Sequence, residues 1–414
     1  MKVIIVGGGI AGLTLACGLA KGGIRSDVYE VAPQIAPLGL GVNLLPHSTK
    51  VMAELGVLDE MRRRSVETVE STFFNRYGQH IYSEPAGLHA GYDEPQLSIH
   101  RGDIQEPLLH RFVAQAGAEF MHTGRRCVGY EEDGEGVTVH FADTLNGAPL
   151  PPVRADVVIA ADGLHSVIRK QMHPGEGDPV YSGVNMWRGA ALWKPFLQGG
   201  NMTRIGWLST GKLVIYPIRN DVDGNGNQLI NWVVEIETPK FKEKRDWNKE
   251  GSLDDFFWAF KDMKFDWLDV PGLLQATEKI LEFPMVDQDP LPFWTTGRVT
   301  LMGDAAHPMY PRGSNGAGQA ILDAACLAKA LLAAEDPRQA LRAYEAERLA
   351  ATSRVVLMNR STPPDIILKV VHDRTGGKPF ERIEDVISAE ELAALSSSYK
   401  RAAGYDREKL AVAS

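Results

Sequence analysis

An α/β fold is predicted: a doubly wound parallel sheet, interrupted by a β-rich insertion and closed by a helical C-terminal region. Three observations predict it. The chain opens on an apolar run, a glycine cluster and a helical pattern, "VIIVGGGIAGLTLACGLAKGG". Two later apolar runs also end abruptly in small or acidic residues, "ADVVIAADG" and "GRVTLMGDAAHP". Between Tyr181 and Phe283 the texture turns to alternating, aromatic-rich strands.

Bulk composition bounds the function. The chain has 414 residues, 44% hydrophobic and 23% charged, enough for a large soluble domain with an insertion. The net charge of −9 and the pI of about 5.7, with "MRRR" (Met61 to Arg64) as the densest basic run, argue against nucleic acid as a partner. The three cysteines, Cys17, Cys127 and Cys326, form no CxxC or Cys/His cluster. No metal site is expected, and a reducing, cytoplasmic compartment is. The opening run imitates a secretory signal, but the glycines break it after a few residues. No run of eighteen apolar residues predicts a membrane span.

The elements follow in order. "VIIV" is a buried strand, "IAGLTLACGLAK" a helix that ends at Gly-Gly, and "RSDVYE" a second strand that ends at Glu30. "GLGVNLLPHSTKVMAELGVLDEMRR" is a loop and one or two helices. Strands of the insertion side are also expected from about 70–100. "HRGDIQEPLLHRFVAQAG" is an amphipathic helix with Leu108, Leu109, Phe112 and Val113 on one side. Strands joined by an acidic-glycine turn follow, then "ADVVIAADG". In the insertion, "KLVIYPI" and "QLINWVVEIE" form a hairpin across "RNDVDGNGN", and "SLDDFFWAFKDMKFDWL" reads as a helix. Every tryptophan but Trp294 lies between Trp187 and Trp267. "GQAILDAACLAKALLAA" is a long helix, with further helices broken at Pro363 and Pro364. The expected division is 1–180 with 284–360, then 181–283, then a tail from 361 to 414 without a legible chemical motif.

Gly7, Gly9 and Gly12 form G-x-G-x-x-G between a strand and a helix, with an acid, Glu30, at the end of the next strand. Gly7 permits the turn, Gly9 lets backbone approach a pyrophosphate, and Gly12 lets the helix close on the strand. Ile10 and Ala11 open the helix, whose N-terminal N–H groups suit phosphates. Glu30 suits ribose hydroxyls. This fingerprint alone does not choose between NAD and FAD.

With "ADGLHSVIR" (Ala161 to Arg169) and "GDAAHP" (Gly303 to Pro308) in order behind it, the chain resembles the single-component (class A) FAD-dependent aromatic hydroxylases, over roughly Met1 to Arg348. It is most similar to the phenazine-carboxylate and salicylate branches, by "MWRG", "FPMVDQDPLP" and "MYPRGSNGAGQAILD". The resemblance implies a Rossmann-like FAD-binding domain of the glutathione-reductase type with an inserted β-sheet substrate domain. It implies FAD, with NADH or NADPH as electron donor and dioxygen as co-substrate. It implies hydroxylation of a small aromatic through a flavin C4a-hydroperoxide, with or without loss of a carboxyl group. An oxidase or reductase on the same fold is the competing reading. The halogenase signature W-x-W-x-I-P is absent.

Residue by residue, Gly303 and Asp304 are assigned to the flavin side chain. Pro311, Gly313, Asn315, Gly316 and Ala317 are assigned to the ring, with Ser314 or Asn315 placed to cap the following helix. Asp162 and Gly163 are assigned near the pyrophosphate, Arg101 to the phosphates or ribityl chain, Gly41 and Val42 to the loop beside the ring, and Cys127 to the adenine through its backbone. His307 is expected to hold its loop. For the substrate, Tyr216 either faces the ring or packs the core, and Arg312 either pairs a carboxylate or faces solvent. No metal and no catalytic triad are expected; a monomer or homodimer is.

Overall fold

The computed structural model describes residues 1–35, 40–238 and 250–406. Part of the expected insertion and residues 407–414 of the expected tail lie outside the described residues. At the centre is a six-stranded sheet. Val3–Val6 pairs in parallel with Ser26–Tyr29 on one side and with Val157–Ala160 on the other, and Val157–Ala160 pairs in parallel with Val299–Leu301. Met121–His122 and Thr295–Thr296 form its edges. "VIIV" and "VVIA" are buried along their whole length. Such strands show continuous apolar runs because helices cover both faces of a parallel sheet.

The helices are α1 (Ile10–Lys21), α2 (Pro46–Leu55), α3 (Leu58–Arg63), α4 (Arg101–Ala116), α5 (Val167–Met172), α6 (Val270–Gln275), α7 (Gly316–Ala333), α8 (Pro337–Ser361), α9 (Ile366–Thr375) and α10 (Ala389–Ala403). α1 packs against α4 and α7, and α7 against α8. α7 is long and apolar enough to cross a membrane by composition, but its buried residues Ile321, Ala324, Leu327 and Leu331 belong to the main core.

A second sheet of seven strands runs Ile280–Asp287, Val180–Trp193, Gln228–Glu237, Gly211–Arg219, Asn201–Trp207, Glu70–Phe74, His80–Pro85. The last two come from before the insertion and join by a parallel pairing of Glu70–Phe74 with Asn201–Trp207. One face of the sheet carries its own core, with Trp187, Ile215, Trp232 and Val234 against Phe256 and Phe260. The opposite face carries Met202, Val214, Tyr216 and Ile218.

Two predicted elements are corrected. Gly41–Leu44, expected within a loop, is a strand paired antiparallel with Leu97–His100. "SLDDFFWAFKDMKFDWL" is not a helix. It forms single turns at Leu253–Asp255 and Phe257–Ala259, then a tight hairpin of Lys264–Phe265 with Leu268–Asp269. Phe256 and Phe260 are four apart, which imitates helical spacing. Phe256 breaks the run at φ −135°, and its ring centroid lies 5.3 Å from that of Trp187 and 5.7 Å from that of Trp232. Packing under the sheet overrides local propensity here.

Candidate active site

Val3–Val6, Val157–Ala160 and Val299–Leu301 lie side by side and parallel, so the three motifs leave the same edge of the sheet. That edge is where α/β sheets bind ligands. The loops touch. Gly7 has φ +110°, and a Cβ there would stand 2.2 Å from the Ala161 carbonyl oxygen. A Cβ on Gly12 would stand 2.0 Å from the Gly7 carbonyl oxygen, so any side chain would push α1 off the strand. A Cβ on Gly9, by contrast, meets nothing within 4 Å. The first and third glycines close backbone on backbone, while the second leaves an open cradle.

α1 starts at Ile10 and Ala11 with no side-chain cap, which leaves its first N–H groups free for an anion. Glu30 already braces this loop: Oε2 accepts from Gly8 N at 2.7 Å and Oε1 from Ala32 N at 2.8 Å. Gln105 Nε2 donates to Gly8 O at 2.7 Å. Arg101, exposed at the first position of α4, lies one turn earlier on the same helix face as Gln105. Cys127 is buried on Arg125–Glu132, and burial, then the Asp162 charge, pushes its thiol up to about 12. It is neutral and unreactive.

Asp162 and Gly163 follow the strand Val157–Ala160. Asp162 Oδ2 accepts from Val167 N at 3.2 Å, but Oδ1 is enclosed without a hydrogen-bond partner. Burial pushes this carboxyl up to about 6. Arg169, the last residue of the same motif, is buried. It pairs with Glu176 and donates Nη1 to the carbonyls of Ala305 and Ala306 at 2.9 and 2.8 Å. The second motif thus holds the third.

In the third motif Asp304 is exposed at the sheet edge. Asp323, fully buried on α7, fixes the turn: Oδ2 accepts from Gly303 N at 3.1 Å and from His307 Nε2 at 2.5 Å, and Oδ1 from Arg348 Nε at 2.8 Å. Burial alone would raise its pKa, but His307 and Arg348 outweigh that and hold it below the usual carboxylate range. His307 holds the loop. Neither Ser314 nor Asn315 caps α7. Asn315 occupies the N-cap position, but its Nδ2 donates to Gly313 O and to the Tyr399 hydroxyl, both at 2.9 Å. The first N–H groups of Gly316 and Ala317 therefore lack a side-chain partner, and a Cβ on Gly316 would meet open space.

Gly41 and Val42 lie on Gly41–Leu44, clamped to the second sheet. Gly41 O accepts from Tyr216 Oη and from Arg188 Nη2, both at 2.9 Å, while Gly41 N donates to Asn231 Oδ1 at 2.8 Å. Tyr216 is buried, its hydroxyl engaged by this backbone. Arg312 is neither solvent-facing nor turned to the cleft. It is 9% exposed and donates Nη1 to Asn359 O on α8 at 3.3 Å. The backbone direction at Gly313 (φ +70°) and Ser314 (φ +56°) turns the loop over, so Arg312 points behind it.

The open volume lies on the other side. A narrow cleft, with about 50 Å³ of open room, is bounded by Gly313 and Ser314, by Leu45 and Pro46, by Phe73, Met202 and Arg204 of the second sheet, and by Tyr399, Lys400 and Tyr405. Sequence reading missed Arg204. Its Nε lies 2.8 Å from Asp365 Oδ1, Nη1 donates to Ser71 Oγ at 2.7 Å, and Nη2 faces only the Met202 sulfur at 3.7 Å. It also missed His47, buried against Gly318 and stacked 5.6 Å from Tyr405, with both ring nitrogens unpartnered. Burial, then Arg348, lowers its pKa to about 3, so it is neutral. Alternation of "NMTRIGW" offers the one signal: it puts an arginine on a face otherwise apolar.

Two uncapped helix starts, an open glycine cradle and an enclosed carboxylate oxygen without a donor fit a long dinucleotide with phosphates at one end and hydroxyls near Asp162 and Asp304. The sequence pattern of the FAD binding domain family matches residues 1–186 and 277–359. The chain belongs to this family. It is 38% identical over 401 residues to phenazine 1,6-dicarboxylic acid hydroxylase of Lysobacter antibioticus, covering 96% of each chain. It is 32% identical to 3-hydroxybenzoate 6-hydroxylase 1 of Aquipseudomonas alcaligenes, covering 87% of this chain and 88% of the relative. The fold matches a salicylate hydroxylase substrate complex with a TM-score of 0.75 at 24% identity, over 100% of this chain and 98% of the other. The chain is a FAD-dependent monooxygenase, with FAD as its cofactor.

Proposed function

We propose that this enzyme hydroxylates a small aromatic or heteroaromatic carboxylate, using NADH or NADPH and dioxygen, in the cleft between the Pro311–Ala317 loop and the second sheet. Arg204 carries the substrate class. Two of its three nitrogens have oxygen partners, and Nη2 has a thioether, the weakest acceptor available. A buried guanidinium with one arm lacking an oxygen acceptor, beside Phe73 in a cleft where Lys400 is already paired with Glu84, is a site for an anionic oxygen. The Lysobacter and Aquipseudomonas relatives are both named for ring carboxylates, which supports this reading.

Bound FAD supplies the redox chemistry: NAD(P)H and a proton reduce dioxygen so that one oxygen enters the ring as hydroxyl and the other leaves as water. The chain's own residues position and exclude. Arg204 orients the substrate by its carboxylate, and Phe73 and Met202 line the cleft from the sheet. Asp162, Asp304, Arg101 and the starts of α1 and α7 bind the cofactor, and Gly41 and Val42 stand at its ring end. Three unpaired cysteines fit a cytoplasmic enzyme, and we take it to be a monomer or homodimer.

The purified protein should be yellow. Phenazine carboxylates and hydroxybenzoates should stimulate NAD(P)H oxidation, with label from isotopic dioxygen in the product. Arg204→Met should raise KM for the acid by about 10- to 100-fold, the loss of one charge-assisted contact, and much less for the matching amide. Equal effects on acid and amide, or peroxide as the sole oxygen product with every acid tried, would sink the reading.

A further inference from the structure

The C-terminal helix has no chemical motif, yet Tyr399 of α10 stands at the centre of the loop that follows "GDAAHP". Its hydroxyl accepts from Asn315 Nδ2 at 2.9 Å and donates to Asn359 Oδ1 at 2.6 Å, and it lies 3.4 Å from the Arg312 carbonyl oxygen. Asn359 completes the brace: Nδ2 donates to Tyr310 O at 3.2 Å, and its carbonyl accepts from Arg312. Tyr310, Arg312 and Asn315 are therefore fixed by one asparagine of α8 and one tyrosine of α10. A second tie joins the helices, since Gln319 Nε2 in the first turn of α7 donates to Ala403 O at 3.0 Å.

The loop needs such a brace. Gly313 sits at φ +70°, and a Cβ there would stand 2.0 Å from the Tyr399 hydroxyl, so the tyrosine occupies the space of the missing side chain. Ser314 follows at φ +56°, a conformation that non-glycine residues hold only where the surroundings impose it. Tyr399 is 2% exposed, and burial keeps its phenol neutral far above working pH, so it is a permanent donor and acceptor.

We propose that Tyr399 is a positioning residue for the cofactor: through Asn315 and Gly313 it sets the backbone of Pro311–Ala317, and with it the grip on the flavin and the coupling of NAD(P)H oxidation to hydroxylation. This rests on the reading that the loop runs beside the flavin ring.

The test uses full-length holoenzyme. Tyr399→Phe removes one oxygen and keeps the ring in its apolar seat against Val355 and Ala403. The Kd for FAD should rise about 5- to 20-fold, the loss of a buried hydrogen bond or two. The visible flavin band should shift, and peroxide should take a larger share of the NAD(P)H consumed. Asn315→Ala should give the same spectral signature, and the double variant should add little to either. Arg374→Met breaks the exposed pair of α9 with Glu391 on α10 and a bond to the Val386 carbonyl, both far from the loop, and should leave Kd and spectrum alone. If Tyr399→Phe matches wild type while Asn315→Ala does not, the proposal fails and the loop reading stands. Both variants silent overturns the loop reading itself. A spectral change with Arg374→Met equal to that with Tyr399→Phe reduces Tyr399 to helix docking and also overturns the proposal; so does a Tyr399→Phe protein that fails to fold while Asn315→Ala binds FAD normally.

Discussion

Asp162 is a carboxylate enclosed without enough donors, and replacing it by asparagine should make the FAD-free protein more stable and the holoprotein weaker. Oδ2 has one backbone N–H and Oδ1 has none. Burial raises the pKa from 3.8 to about 6. The sign follows from linkage. A group raised in the folded state contributes stability that is fully present below its unfolded pKa and is lost as pH rises through the folded one. Between pH 3.8 and 6 the folded protein loses about 3 kcal/mol, from about two units at 1.4 kcal/mol each. At about 2.1 cal/mol/K per residue, 414 residues unfold with an entropy near 0.9 kcal/mol/K, so the loss is about 3 °C in Tm. Asp162→Asn, neutral throughout, should melt about 3 °C above wild type at pH 7.5 when stripped of FAD, about half that at pH 5, and level with it near pH 3.5. A hydroxyl of FAD donating to Oδ1 would offset the cost in wild type. The variant should therefore bind FAD about tenfold more weakly, the difference between a charged and a neutral acceptor. Scanning calorimetry across pH and FAD titration by fluorescence read both. A variant that melts below wild type at pH 7.5, or binds FAD as tightly, refutes the account.

Gly12→Ala places a methyl 2.0 Å from the Gly7 carbonyl oxygen. Displacement of the α1 start should weaken FAD binding by about 10- to 100-fold in a fluorescence titration. Asp323→Asn leaves Arg348 and His307 without their shared buried anion and should cost about 3–5 kcal/mol, about 3–6 °C in Tm. Because the folded pKa of Asp323 is depressed, that stability is present above the ordinary carboxylate value and is lost as pH falls below it, so the gap between variant and wild type should narrow under about pH 4. Asp365→Asn frees Arg204 Nε and should raise KM for acid substrates while lowering Tm.

The nucleotide end was legible because its chemistry is backbone chemistry. Gly12 is demanded by the Gly7 carbonyl within a single βα turn, so the spacing alone reveals it, while Gly7 turns at φ +110° against the Ala161 carbonyl of a distant strand. "VVIA" and "VTL" were legible because wholly buried parallel strands cannot alternate. The helix expected over 252–268 failed because the Phe256–Phe260 spacing served a sheet core rather than a helix face. Arg312 was misplaced for a different reason: two left-handed residues after it reverse the loop, and Ser314 gives no glycine signal of that turn. Arg204 and Tyr399 were invisible because their meaning lies in partners 161 and 40 or more positions away, Asp365 and Asn359 with Asn315.

The same distances explain why the C-terminal region belongs to the active-site fold and is not an appendage. Lys212 is 1% exposed on the second sheet and pairs with Asp365, just before α9, as well as with Glu235 on the neighbouring strand. Arg204 pairs with the same aspartate. Two cations and two anions balance, and one of the anions is supplied only after the Pro363–Pro364 break. α9 and α10 also cover Phe73 and Ile81 at the sheet edge with Ile367, Leu368, Val371 and Leu392. A chain ending at Ser361 keeps every nucleotide-binding motif, yet strands two buried cations on one carboxylate and bares that apolar edge. An unpaired buried charge costs several kcal/mol, comparable to the whole stability of a domain. The truncated chain should therefore be insoluble or molten and fail to retain FAD. A soluble, yellow Met1–Ser361 fragment with a cooperative melt would show that the sheet can close without its tail.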